Sequence, residues 1–350
     1  MNEDRAARYH RLKRRASVAS ACAGVAWLGL LAATGWGSAL PVALLIAAIA
    51  CGWELVTFPF TFYRNFLLER KYGLASEPSR TWLADHAKAL ALGLVLSELA
   101  GLGVYGSMRL AGHAWWLAAA ALFAAAGLLL SRAVPVLLLP LFYRFRPLER
   151  EALRERLVAL STRAGVPVLG AFEWGLGEKT TRANAALVGA GRTRRILLSD
   201  TLLAAYSDDE IEVILAHEIA HHVHRDMATA LAVETGVVAA ALLVAHLVVT
   251  GAGRAPGDAA ALPLLTLAAG AVSLVMTPVG NAWSRRNERR ADRFALALTG
   301  RHAAFISAMR RLAAQNLAEP DPSRPALWFF HTHPTIEERI AAAREFNAVA

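Results

Sequence analysis

The chain has 350 residues, 56% of them hydrophobic and 19% charged, and its mean hydropathy is +0.38. Those values exclude an ordinary soluble protein and point to a polytopic membrane protein. The net charge of +9 does not argue for nucleic acid. The basic residues gather in a few segments flanking apolar runs, as membrane topology requires, so no nucleic-acid partner is expected.

The amino-terminal tail carries Arg5, Arg8, Arg11, Lys13, Arg14 and Arg15, and an apolar run follows over 17–33. A second apolar run, 40–62, begins with no lysine or arginine between the two. The pair reads as a helical hairpin rather than a cleaved signal peptide. Cys22 and Cys51 both sit in these runs, which argues against a disulfide framework.

Four further runs are long enough to span: 89–108, 114–141, 227–250 and 259–283. Lysine plus arginine alternates between them. The tail has six and the first turn none; 63–88 has five and 109–113 one; 142–226 has twelve, 251–258 one, and the stretch from 284 eleven. The positive-inside rule then places both termini and the 142–226 segment in the cytoplasm of a multi-pass cell-membrane protein. Glu54, Glu98, Arg132 and Glu234 lie inside spans, where ionisable residues are either functional or paired within the bundle.

The cytoplasmic segment is mixed. Helical periodicity covers 148–164. Two short strands are predicted over 184–188 and 195–199, joined by a turn at Gly189–Thr193. Asp200 and Thr201 look like a helix cap, and Ser207 to Glu210 like the start of the next helix. That helix carries His217-Glu218-Ile219-Ala220-His221, the H-E-x-x-H pattern. Positions i and i+4 share a helix face, so both imidazoles can hold one metal ion with Glu218 beside the open position. A zinc hydrolase needs this set: neutral nitrogen ligands, room for a water and a carboxylate to take its proton.

A third ligand is needed to complete such a site. After the last apolar run, Glu288 and Asp292 are again four apart. One can reach the metal while the other accepts a ligand histidine's ring N–H. Five arginines surround them, so a solvated helix end is the competing reading on spacing alone.

An H-E-x-x-H helix, a two-span insertion and then E-x-x-x-A-D followed by Phe-Ala resembles the integral-membrane gluzincins, the CAAX prenyl endopeptidases and HtpX-like proteases among them. Pro59 to Phe66 with Glu69 to Gly73, Leu139 to Glu149, Asn184-Ala185, Ser199 to Leu203 and His333 to Arg339 are similar to ordered signatures of the CAAX type. The resemblance implies zinc, one ion per chain, held by His217, His221 and Glu288, with Glu218 as base and Asp292 behind a ligand. It implies Asn184 and Ala185 on a substrate-binding edge, and His333 and Arg339 near the reacting carbonyl. The implied fold is a helical membrane bundle carrying a cytoplasmic α+β zincin-like metalloprotease domain; the eukaryotic members have seven spans, whereas the apolar runs here give an α-helical polytopic membrane protein of about six. Its organisation would be a four-span domain, 1–141, and a protease domain, 142–350, with a two-span insertion at about 227–283.

The activity implied is hydrolysis of membrane-associated peptides or proteins, with the lipid bilayer as the other partner. His222-Val-His224-Arg225-Asp226 is nearer the HtpX-like pattern, whose function is quality control of damaged membrane proteins. A non-catalytic scaffold or transporter with a structural metal is the reading from another class, and it has no need of Glu218.

Overall fold

A computed structural model describes residues 4–36, 39–189, 191–255 and 257–349. Six helices in it are long and apolar enough to cross a membrane. The first, α1 (Arg5–Thr34), ends where Gly35 turns left-handed, at φ 63°. It begins well before the apolar run, so the basic tail is helical too. The tail is held by a small cluster of Tyr9 with Leu68, Tyr72 and Leu74. α2 (Val42–Phe62) passes through a π-turn, Tyr63–Leu67, into α3 (Leu68–Lys71). Pro59 lies four residues before the π-turn, inside α2, where it leaves the Leu55 carbonyl without its helical donor.

α4 (Ser79–Leu110) and α5 (Trp115–Ala133) complete the first four spans. Another π-turn, Val134–Leu138, contains Pro135 and leads into α6 (Leu139–Phe142). The fifth span is α10 (Asp226–Gly251) and the sixth lies within α11 (Leu262–Thr299).

Between these two groups lies a four-stranded sheet with helices. β1 (Phe145–Pro147), α7 (Glu151–Arg163), β2 (Ala171–Trp174), β3 (Ala185–Val188), β4 (Arg195–Ser199), α8 (Asp200–Ala205) and α9 (Asp208–Val223) follow in order. The strand order is β1-β2-β4-β3, with β2 and β4 parallel and the other pairs antiparallel. β3 and β4 fall on the two predicted strands, and Gly189 takes the positive φ, 89°, that their connection demands. β1 and β2 are not among the predicted strands.

Three further helices follow: α12 (His302–Gln315) packs on α9, α13 (Arg324–Phe330) on α11, and α14 (Ile336–Val349) on α12 and α11. The core joins Leu153, Leu157 and Leu160 of α7 to Ile196 and Leu198 of β4, Ile211 and Leu215 of α9, and Phe305 and Met309 of α12. Each such side chain contributes about 1.5–3 kcal/mol by leaving water. α9 is buried on nearly every face, so the H-E-x-x-H residues are held in a packed frame.

Candidate active site

α9 starts from a capping box. Glu210 N–H donates to Ser207 Oγ at 3.3 Å, and Ser207 N–H donates to Glu210 Oε2 at 2.8 Å. It stops at Arg225, whose φ of 56° and ψ of 37° are left-handed, and α10 begins at once with Asp226. This sharp turn folds the Asp226 carboxylate back against the helix it follows: Oδ2 accepts from His221 Nδ1 at 2.8 Å. α11 packs across α9 and does the same for the other histidine, with Asp292 Oδ1 2.8 Å from His217 Nδ1.

Both Nδ1 atoms therefore carry the proton, and both Nε2 atoms present lone pairs. Those lone pairs face each other at 3.3 Å. Glu288 joins them, Oε2 lying 3.1 Å from His217 Nε2 and Oε1 3.5 Å from His221 Nε2. Glu288 is buried, and His217 Nε2 and His333 Nδ1 both lie within 3.1 Å of its Oε2. With both rings neutral, three acceptors converge on one point, an arrangement that needs positive charge, either a second proton on His217 or a cation among them. Ligand atoms about 2.0–2.2 Å from a tetrahedral ion stand roughly 3.3–3.6 Å apart. Two of the observed separations, 3.3 and 3.5 Å, fall in that range and the third, 3.1 Å, is slightly shorter. Burial opposes a charge on His217, yet the Asp292 and Glu288 carboxylates outweigh it and lift its pKa to about 9. The place attracts positive charge.

Glu218 is half-buried beside this set, and burial pushes its carboxyl above the ordinary value despite His217 and His221 nearby. His333, 62% exposed at its side chain, brings Nδ1 within 2.8 Å of Glu288 Oε2. Arg339 is placed differently from the expectation. Its guanidinium holds Asp292 at both oxygens, Nε to Oδ2 at 2.8 Å and a terminal nitrogen to Oδ1 at 2.6 Å. It lies behind His217, on the Nδ1 side of the ring, because Asp292 is the buried charge it neutralises. Asn184 is exposed just before β3, its backbone tied to Ser199, while Ala185 opens the strand itself. β3 is an edge strand, and His222 Nε2 meets its Leu187 carbonyl at 2.8 Å. Asp226 is the site residue that spacing did not reveal.

A cavity of about 690 Å³ begins at His221, Asp226 and Glu288 and runs between α10 and α11. Its walls are largely apolar, with Val233, Val237, Met276 and Trp283, and Glu234 also lines it.

A helical membrane bundle with an H-E-x-x-H helix and a converging glutamate defines a membrane metallopeptidase. The chain belongs to peptidase family M48, whose profile matches residues 147–347. A second profile, CAAX prenyl protease N-terminal, five membrane helices, matches 15–144, where four spans lie here. Among similar proteins, the uncharacterized metalloprotease YhfN of Bacillus subtilis (strain 168) is 31% identical over 84% of this chain and 71% of its own length. The probable CAAX prenyl protease 1 of Schizosaccharomyces pombe is 27% identical over 83% of this chain and 62% of its own. The crystal structure of Ste24p from S. mikatae superposes with a TM-score of 0.77 at 22% identity, covering 91% of this chain and 80% of that one, and so shares the fold. This is a multi-span, CAAX prenyl protease-like metalloprotease, and its family implies a bound metal.

Proposed function

We propose that this protein is a zinc endopeptidase that cuts peptides presented from the bilayer, with its active site and both termini in the cytoplasm. The observation that carries this reading is the cavity that leaves His221 and Glu288 and enters the space between two spans. A substrate anchored in lipid could keep its apolar part there while its peptide reaches the metal ligands. The lysine and arginine alternation along the chain supports the orientation.

His217, His221 and Glu288 would hold one zinc ion per chain. When bound there, zinc supplies Lewis acidity that lowers the pKa of a water to about 7 and polarises a carbonyl. Glu218 takes the proton of the attacking water and passes it to the leaving amine. Burial raises its pKa, which makes the carboxylate a stronger base toward the water's proton. Exposed over the site, His333 donates to the oxygen that gains negative charge. Arg339 acts one step back: by fixing Asp292 it holds His217 in one tautomer and one orientation. Asn184 and Ala185 begin the edge strand against which a substrate would lie extended.

The test uses the purified full chain in liposomes with two probes, a farnesylated CAAX peptide and unfolded casein. Zinc-dependent cleavage of a membrane-inserted probe supports the reading, and faster cleavage of casein supports the quality-control role instead. Zinc-replete protein that cuts neither would overturn both.

A further inference from the structure

The cytoplasmic end of α1 reaches the catalytic face. Arg14 donates to both oxygens of Glu319, at 2.5 and 3.0 Å, and the Glu319 side chain is only 4% exposed. Glu319 Oε2 lies 3.2 Å from His331 Nε2. One turn earlier, His10 Nε2 meets the Leu317 carbonyl at 2.8 Å. Leu317 itself is left-handed, at φ 53°. Two residues beyond His331 stands His333.

We propose that Arg14, through Glu319 and His331, is a positioning residue for the active site, holding the 331–335 segment so that His333 stands over Glu288. The inference rests on the reading of His333 as a substrate-facing group. Between α12 and α14 the chain has one seven-residue helix, α13, so few ladder hydrogen bonds fix it. Its place is set by side chains instead: Arg14 and His10 from α1, and Arg285 from α11, which donates to the His331 carbonyl at 2.7 Å. His333 is mostly exposed, so its position follows from this backbone. Removing Arg14 leaves Glu319 a buried charge whose cationic partner has gone, and such a group moves toward water. The segment would move with it.

α1 keeps a separate anchor when Arg14 is changed. Tyr9 donates to Glu69 at 2.5 Å, Lys13 to the same carboxylate at 2.7 Å, and Arg182 to it at 2.8 Å. Loss of the Arg14 pair therefore need not undock the helix.

The experiment compares Arg14→Gln and Glu319→Gln in the wild-type chain and in a His333→Ala background, measuring kcat, KM and zinc content with the probe cut faster. Expected is a fall in kcat of about tenfold for each single variant, with zinc content unchanged and KM within about twofold. In the His333→Ala background the same changes should cost nothing further, because residues acting through one group are not additive. Full kcat in Arg14→Gln and Glu319→Gln, an undiminished loss in the His333→Ala background, or zinc lost along with activity overturns the proposal. A His333→Ala enzyme with full kcat overturns the His333 reading, and with it any route from Arg14 through that residue.

Discussion

Asp226 accepts the Nδ1–H of His221 at 2.8 Å, as Asp292 does for His217 at the same distance. Each metal-facing imidazole thus has its own carboxylate, and each carboxylate its own arginine, Arg290 and Arg339. An orienting carboxylate fixes the tautomer and raises ligand basicity. Asp226→Ala should therefore weaken zinc about 10–100-fold in a chelator competition. Glu288→Ala should weaken it further, since it removes a donor atom itself. An Asp226→Ala protein with native zinc affinity would leave the hydrogen bond without a role in the site.

Glu218→Gln should bind zinc normally and lose activity by about 10²–10⁴-fold. The amide keeps the side chain's size but cannot accept a proton from water. Metal analysis and turnover on the same sample separate the two effects. Native turnover would remove Glu218 as the base.

The capping box gives a pH signature in stability. Burial opposes the Glu210 charge, but Ser307, donating at 2.6 Å, and Ser207 outweigh it and hold the carboxyl below its ordinary value of 4.5. A depressed folded-state pKa stabilises above the unfolded value and is lost as pH falls through the folded one. Glu210→Gln should cost about 1 kcal/mol at neutral pH. The gap in thermal midpoint between this variant and the native chain should close on acidification below 4.5. A gap that persists in acid would assign the loss to packing.

Much of this site was legible because it obeys helix spacing. His217 and His221 share a face of a helix that the apolar pattern marks; Glu288 and Asp292 share one too, but beyond the last apolar run, where spacing alone also allowed a solvated helix end. Asp226 was not legible, since position i+5 is off the His221 face of a continuous helix. Only the left-handed Arg225 returns it, and a non-glycine residue there is not signalled by sequence. β1 and β2 are three and four residues long, too short for a period-two pattern to register. The basic tail read as a topology signal, while its docking through Arg14 and Tyr9 depends on partners some 60 to 300 residues away.

Orientation can be tested by cysteine labelling in a background lacking Cys22 and Cys51. Cysteines at the exposed positions Glu178 and Arg310 should label from the cytoplasm, and those at His113 and Ala252 from the other face. The pair on either side of the last two spans matters most. If 178 and 310 label from opposite faces, α10 and α11 do not both cross, and α9 and Glu288 could not meet on one side of the membrane.

The cavity between α10 and α11 can be narrowed from Gly280. Gly280 lies on it, in the middle of α11, and a Cβ added there meets nothing within 4 Å. Leucine is also the better helix former, by just under 1 kcal/mol, so Gly280→Leu should keep or raise stability. Zinc should bind as before, because Glu288 lies two turns further along the helix. The new side chain would nonetheless stand in the path from the metal ligands into the bilayer. If that path seats the apolar part of a substrate, kcat/KM for a membrane-inserted peptide should fall by about tenfold, on the scale of a blocked apolar contact of 1–2 kcal/mol. A short water-soluble peptide with the same cleavage site should be cut at the native rate. Equal losses on both peptides would mean that leucine disturbs the metal site, and no loss on either would show that substrates reach it by another route.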